Sequence, residues 1–281
     1  MISQIPRTFY IFHNSRNQRA MPWALKINNF IKKSHSNIKA DSYKPDAVIV
    51  LGGDGTILEA ARKYQKINST IIGLNLGTVG FLASVRKEKD FLASLTRFFR
   101  GKYHIVERMM ITSEVRRGGK TVFSGDALNE IVVKNPLGMV ELQAKIEGHP
   151  VQDIRGTGIL VSTATGSTAY NLSAHGPIVM PNIKCLVVTE LLDHSIPTPS
   201  IVVKHDNKIS IKVLSFKKRG LLSLSKTGKK IDVLLSVDGE SVFPLEAGDE
   251  ISIQSSPHLV RFAELEKHYF FKSLEEKFGF R

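Results

Sequence analysis

With 281 residues, 42% of them hydrophobic and 23% charged, the chain has the make-up of an ordinary globular protein, with material for two modest domains. Its formal net charge of +13 would suit nucleic acid, an acidic membrane surface or phosphate-rich small ligands. The lysines are spread along the chain, and no helix-turn-helix, zinc-finger or RNA-binding aromatic pattern accompanies them, which argues against nucleic acid.

The opening third alternates strands and helices. Thr8 to Phe12 reads as a strand, Met21 to Lys33 as a helix and Ala47 to Leu51 as a second strand. A glycine-rich turn follows, and Thr56 to Tyr64 reads as a helix. Thr70 to Leu74 is a third strand, leading into the glycine-containing stretch Asn75 to Leu82, and Asp90 to Arg100 is a helix. This alternation predicts a parallel sheet with crossover helices, whose ligands bind beyond the carboxyl ends of the strands. Both glycine-containing turns start at such ends.

After about Gly101 the texture changes to short strands and turns. Ile105 to Val115, Val122 to Phe123, Ile131 to Val133 and Leu142 to Ile146 are strand-like. Ile201 to Val203, Ile209 to Val213, Val233 to Val237 and Ile251 to Ile253 continue the pattern, and Val237-Asp238-Gly239-Glu240 marks a hairpin. Ala263 to Phe278 reads as a closing helix with aromatic residues on one side. The expected organisation is an α/β domain over 1–100, a β-rich domain over 101–258 and a helix over 259–281 that packs back on the first.

Cys185 is the single cysteine and lies in an apolar run, so a buried thiol and a reducing compartment are expected. The nine histidines show no metal-binding spacing. No apolar run approaches the roughly 18 residues of a spanning helix. A cytoplasmic protein with no membrane partner is the expectation.

Gly52-Gly53-Asp54-Gly55-Thr56 carries the most chemical information. Glycines at a strand–helix turn let a ligand approach the backbone, and the free N–H groups of the helix start favour a phosphate. Gly52, Gly53, Gly55 and Thr56 are therefore the predicted phosphate-binding residues. The pattern is neither a Walker A loop nor a dinucleotide G-x-G-x-x-G. Asp54 is costly in a pure phosphate cradle and needs a reason. A metal–phosphate complex or a hydroxyl awaiting deprotonation would supply one.

Two further motifs point to a polar ligand. Asn129-Glu130 opens a strand, and together these side chains match a ribose or an adenine edge. Ala164 to Pro177 is rich in glycine, serine and threonine around Ala169-Tyr170-Asn171-Leu172-Ser173. Apolar burial does not explain it; a loop entering a helix start does, with hydroxyls and N–H groups offered to a ligand.

Gly-Gly-Asp-Gly-Thr resembles the loop shared by NAD kinases, 6-phosphofructokinases and lipid kinases. Thr165 to Ser173 with Gly176-Pro177, the Asn129-Glu130 pair and the stretch Gly73 to Leu82 then resemble the NAD kinase family in particular. The resemblance covers nearly the whole chain. It implies a Rossmann-like α/β domain of the phosphofructokinase-like superfamily, a β-sandwich-like C-terminal domain and a homo-oligomer, dimer or tetramer. It implies phosphoryl transfer from ATP, or from polyphosphate, to the adenosine ribose 2′-hydroxyl of NAD, giving NADP. A lipid or sugar kinase of the same superfamily is the alternative.

By the same resemblance Asp54 is the catalytic residue. Gly55, Asn75, Asn129, Glu130, Arg155, Thr157, Thr168, Ala169, Tyr170 and Ser173, with Asp54 itself, belong to the NAD site. A divalent cation, Mg²⁺ by preference, comes with the nucleotide. Glu59 and Thr157 depart from the family's pattern; Glu59 is expected to point away from the phosphate loop, where its charge would repel the ligand.

Overall fold

The computed structural model describes residues 5–77, 80–194, 198–223, 228 and 230–279. The chain divides into two compact units, Met1–Arg108 with His258–Arg281, and Met109–Pro257. Of the stretch Asn75 to Leu82, Thr78 and Val79 lie outside the described residues.

In chain order the first elements are β1 (Thr8–His13), α1 (Ala20–Ser34), β2 (Lys39–Ala40), β3 (Ala47–Gly52), α2 (Asp54–Tyr64), β4 (Thr70–Asn75), α3 (Phe91–Phe99) and β5 (His104–Arg117). They continue with β6 (Lys120–Ala127), β7 (Glu130–Lys134), β8 (Val140–Ile146), β9 (His149–Thr163), α4 (Tyr170–Ser173), β10 (Cys185–Asp193), β11 (Ile201–Lys204) and β12 (Ile209–Phe216). The last are β13 (Leu222–Ser223), β14 (Lys230–Ile231), β15 (Val233–Val237), β16 (Ser241–Leu245), β17 (Glu250–Glu264) and α5 (Tyr269–Phe278).

In the first unit β2, β1, β3, β4 and the end of β17 lie side by side, all parallel. Every residue of β3 and β4 is buried, as expected of strands with helices over both faces. α1 turns Ala20, Ile27 and Ile31 inward, and α3 turns Phe91, Leu95, Phe98 and Phe99 inward. These side chains meet Ile49, Leu51, Ile72 and Leu74 in one apolar cluster. The register pairs Gly52 with Asn75. The turns that leave β3 and β4 therefore begin side by side, and Leu76 N–H donates to Gly52 O at 3.3 Å.

The second unit is antiparallel. β9 organises it: the first half pairs with β8, while Gly158–Ser162 pairs with β7 and the same half takes β10 on its other edge. β15 continues from β7 and forms the expected hairpin with β16. Ile131, Val133, Ile159, Val161, Leu186 and Leu235 belong to its core. Cys185 is buried, and burial pushes its thiol pKa up.

The closing helix is shorter than its sequence pattern. Ala263 and Glu264 finish β17, whose Arg261 and Phe262 pair with Thr70 and Ile71 of β4. The helix begins at Tyr269, after His268 takes the left-handed conformation at φ 61°. Ala263 and Glu264 thus continue a strand that is paired with β4 through the two residues before them. At the other end of the first unit, α2 starts two residues earlier than predicted, at Asp54 itself.

Candidate active site

α2 starts directly from the turn after β3, and no side chain caps it. Thr56 and Ile57 N–H already donate to Gly53 O at 3.0 and 3.2 Å, so the amides of Asp54 and Gly55 are the ones this helix start offers to an anionic ligand. Asp54 stands in this first turn, and its carboxylate has two backbone partners. Phe81 N–H donates to Oδ2 at 2.8 Å and Leu82 N–H to Oδ1 at 3.3 Å. Burial raises the Asp54 pKa; the Phe81 and Leu82 N–H groups and the charge of Lys277 oppose the rise. A carboxylate held in a fixed pose with its basicity raised is suited to accepting a proton from a weak acid.

The segment Gly80–Leu82 that holds Asp54 continues directly on from the β4 turn. Asn75 shapes that turn: its Oδ1 accepts Gly77 N–H at 3.2 Å and its Nδ2 donates to Gly77 O at 3.0 Å. Gly80 is the point of closest approach. A β-carbon there would lie 2.1 Å from Asp54 Oδ2, so only glycine lets the carboxylate lie where it does. Glu59 is exposed.

In the second unit Asn129 and Glu130 are both buried. The residue that positions them is Asp238, in the hairpin turn between β15 and β16. Its Oδ2 accepts Leu128 N–H at 3.0 Å, and its Oδ1 accepts Asn129 N–H at 2.8 Å and Glu130 N–H at 3.1 Å. From sequence Asp238 reads only as a turn residue; its own positive φ of 47° fits that reading and does not announce the second role.

The surroundings of Glu130 strongly perturb its carboxyl. Burial first, then the charge of Asp238, pushes its pKa up to about 8; the Tyr170 N–H and Lys134 work against this. Glu130 Oε2 is buried and has no hydrogen-bond partner among the described residues. An orphaned buried oxygen is rare and calls for a ligand or water to complete it.

The small-residue segment packs tightly behind this pair. Gly166 is indispensable there, since a β-carbon would lie 2.3 Å from the Asn129 carbonyl oxygen. Thr163 Oγ1 donates to Leu128 O at 2.6 Å and accepts Gly166 N–H at 3.1 Å. Asn171 is fully buried: its Nδ2 donates to Pro177 O at 3.0 Å, and its Oδ1 accepts from Thr189 Oγ1 at 2.8 Å. Ser167 Oγ donates to Ala164 O at 2.7 Å. Asn171 and Ser167 thus maintain the loop, and Thr168, Ala169, Tyr170 and Ser173 ride on it at the short helical turns Gly166–Thr168 and Tyr170–Ser173. Lys134 Nζ lies 5.1 Å from the Tyr170 ring centroid.

Arg155 does not join this cluster within one chain, whereas Thr157 stands next to Gly158, which pairs with Lys134. β9 is continuous, and Glu130 pairs with Ser162, seven residues beyond Arg155. At about 3.3 Å per residue this is roughly 20 Å of strand. Arg155 instead pairs with Glu141 at 3.3 Å. It lines an open cavity of about 250 Å³ with Asn135, Phe216, Lys217 and Arg219.

Among the described residues no three His, Cys, Asp or Glu side chains converge as a metal-binding set. No described helix is long and apolar enough to cross a membrane.

Two family models match the chain: the ATP-NAD kinase N-terminal domain over residues 10–103 and the ATP-NAD kinase C-terminal domain over residues 128–265. An NAD kinase of Lachnoclostridium phytofermentans is 34% identical over 253 residues, covering 89% of this chain and 85% of the relative. One from Clostridium tetani is 39% identical over 232 residues, covering 81% and 78%. Among solved structures, yeast NADH kinase complexed with NADH superposes with a TM-score of 0.87 at 20% identity, over 99% of this chain and 89% of that one. An NAD kinase from Archaeoglobus fulgidus in complex with ATP gives 0.73 at 23% identity, over 94% and 96%. The structural matches establish likeness of fold. The family models span both halves of the chain, which disfavours a lipid or sugar kinase.

Proposed function

The chain belongs to the NAD kinase family, and from that premise we propose how its own residues carry out phosphoryl transfer to NAD. Asp54 accepts the proton of the adenosine ribose 2′-hydroxyl. The freed oxygen attacks the γ-phosphorus of ATP, the bond to the β–γ bridging oxygen breaks, and ADP and NADP result. The observation that carries this reading is the pose of Asp54: a lone carboxylate at an uncapped helix start, held by two N–H groups. The amides of Gly53 and Gly55, with Thr56 beside them, receive donor phosphates. Such transfer depends mainly on positioning and on neutralising charge.

Asn129 and Glu130 hold the adenosine part of NAD. Glu130 favours its neutral form well above the usual carboxylate range, so its carboxyl both donates to and accepts from a ribose hydroxyl. The orphaned Oε2 supports this assignment. Thr168, Ala169, Tyr170 and Ser173 line the same pocket. The described residues do not offer a resident metal a ligand set. A divalent cation bound to the nucleotide's phosphates would supply charge neutralisation there.

The test is an NAD analogue that lacks the adenosine 2′-hydroxyl. It should bind competitively with NAD, at a loss of about 1 kcal/mol for one net hydrogen bond, and receive no phosphate. Phosphorylation of the analogue would place the acceptor oxygen elsewhere.

A further inference from the structure

α5 is fastened to the segment that holds Asp54. Arg86, five residues beyond Phe81, donates from Nη2 to Tyr269 O at 3.1 Å and to Ser273 Oγ at 2.6 Å. Its Nη1 pairs with Glu276 at 2.5 Å, and its guanidinium lies over the Tyr269 ring at 4.4 Å. Phe81 meets the same helix: its ring centroid is 5.8 Å from that of Phe270 and 6.2 Å from that of Phe278. Lys277 extends over the Phe81 ring, with Nζ 5.2 Å from the centroid. Phe81 is also the residue whose N–H holds Asp54 Oδ2.

The two lysines of α5 differ in their partners. Lys272 pairs with Glu266 at 2.7 Å. Lys277 is exposed and takes part in no ion pair among the described residues, although its charge is felt at Asp54. An exposed ammonium over the ring of the residue whose N–H holds Asp54, with no ion pair among the described residues, is where a polyphosphate would be received.

We propose that Lys277 binds the phosphates of the triphosphate donor beside Asp54, so that α5 completes the phosphoryl-transfer site. The proposal rests on the role given to Asp54 above. The ammonium acts as a compact point charge on oxygens that gain negative character during transfer. It also offsets repulsion between the donor and Asp54, adding to the Phe81 and Leu82 N–H groups that hold the carboxylate. The aromatic contacts with Phe270 and Phe278 set how far along the loop Lys277 stands.

The test uses the full chain with Lys277→Met, Lys277→Arg and Lys277→Glu, and Asp54→Asn in parallel. Calorimetry with a non-hydrolysable ATP analogue reads donor binding without turnover, and kinetics read kcat and each KM. Lys277→Met should weaken the analogue about tenfold, as expected for loss of one charge-assisted contact, and leave the KM for NAD within about twofold. Lys277→Arg should restore most of the loss, and Lys277→Glu should exceed it. Analogue binding within twofold of wild type in Lys277→Met would overturn the proposal and leave the lysine as a cover for Phe81. Equal losses for both substrates that arginine does not restore would overturn it as well. Asp54→Asn should cut turnover about 10²–10⁴-fold yet bind the analogue at least as tightly as wild type. Near-normal turnover there would defeat the role of Asp54, while the calorimetric result for Lys277 would still be decided on its own.

Discussion

The carboxylate of Asp54 lies against the α-carbon of Gly80, so closely that a methyl group added there would overlap both of its oxygens. Gly80→Ala must therefore displace the carboxylate or pull Phe81 and Leu82 away from it. Misplacing a reacting group by about 1 Å costs on the order of 10²-fold in rate. The expected outcome is a kcat loss of that order with little change in the KM for NAD. Steady-state kinetics check it, and a variant with normal kcat would show that the loop relaxes without disturbing Asp54.

Asp54→Asn preserves an acceptor for one of the two N–H groups and removes the base. Turnover should fall about 10²–10⁴-fold, the usual share of general-base catalysis. NAD binding by calorimetry should stay within a few-fold. Retained kcat would remove the carboxylate from the chemistry.

Asp238→Ala strands the N–H groups of Leu128, Asn129 and Glu130. Each unsatisfied buried donor costs about 1–3 kcal/mol, and relaxation should leave a net loss of roughly 2–4 kcal/mol in urea unfolding. NAD affinity should fall with it, because Asn129 and Glu130 lose their anchor, whereas binding of an ATP analogue should not. Equal loss for both ligands would count against a selective role.

Glu130 makes stability depend on pH with a defined sign. Its folded pKa of about 8 lies above the ordinary 4.5. The folded chain thus holds a proton that the unfolded chain releases first. The stabilisation is complete below pH 4.5 and is lost as pH rises through about 8. Other raised carboxyls, Asp54 and Glu264, act in the same direction. The difference between wild type and Glu130→Gln isolates the term: the variant should lose less stability between pH 6 and pH 9. Parallel pH curves for the two proteins would mean that Glu130 is ionised throughout.

Much of this architecture is legible along the chain because it rests on local pattern. The apolar run Ala47 to Leu51 breaks at glycines, which marks both a buried strand and the turn that bears Asp54. Asn129-Glu130 and the small residues after Ala164 stand out because they are polar where neighbouring runs are apolar. What escapes the pattern depends on distant partners. Asp238 acts on backbone groups 108 to 110 residues away, and a hairpin turn would hold an aspartate in any case. Ala263-Glu264 suits a helix by composition yet ends a strand whose partners, β4 among them, lie far off in sequence. Lys277 is one more charge on a charged helix until Phe81 is seen beneath it. Arg155 is close to the small-residue segment in sequence, yet an extended strand carries it away, to pair with Glu141.

The first unit is assembled from two stretches of chain separated by the whole of the second. During synthesis on a ribosome β4 emerges with one edge open, and the strand that closes it, at Arg261 and Phe262, is made nearly two hundred residues later. An open edge of Thr70–Asn75, apolar and fully buried in the finished protein, is a template for pairing with other chains. Nascent molecules that stall before His258 would therefore carry the glycine loop and the pocket motifs but remain aggregation-prone. The contacts of Arg86 and Phe81 with α5 form later still, when the last residues of the chain arrive.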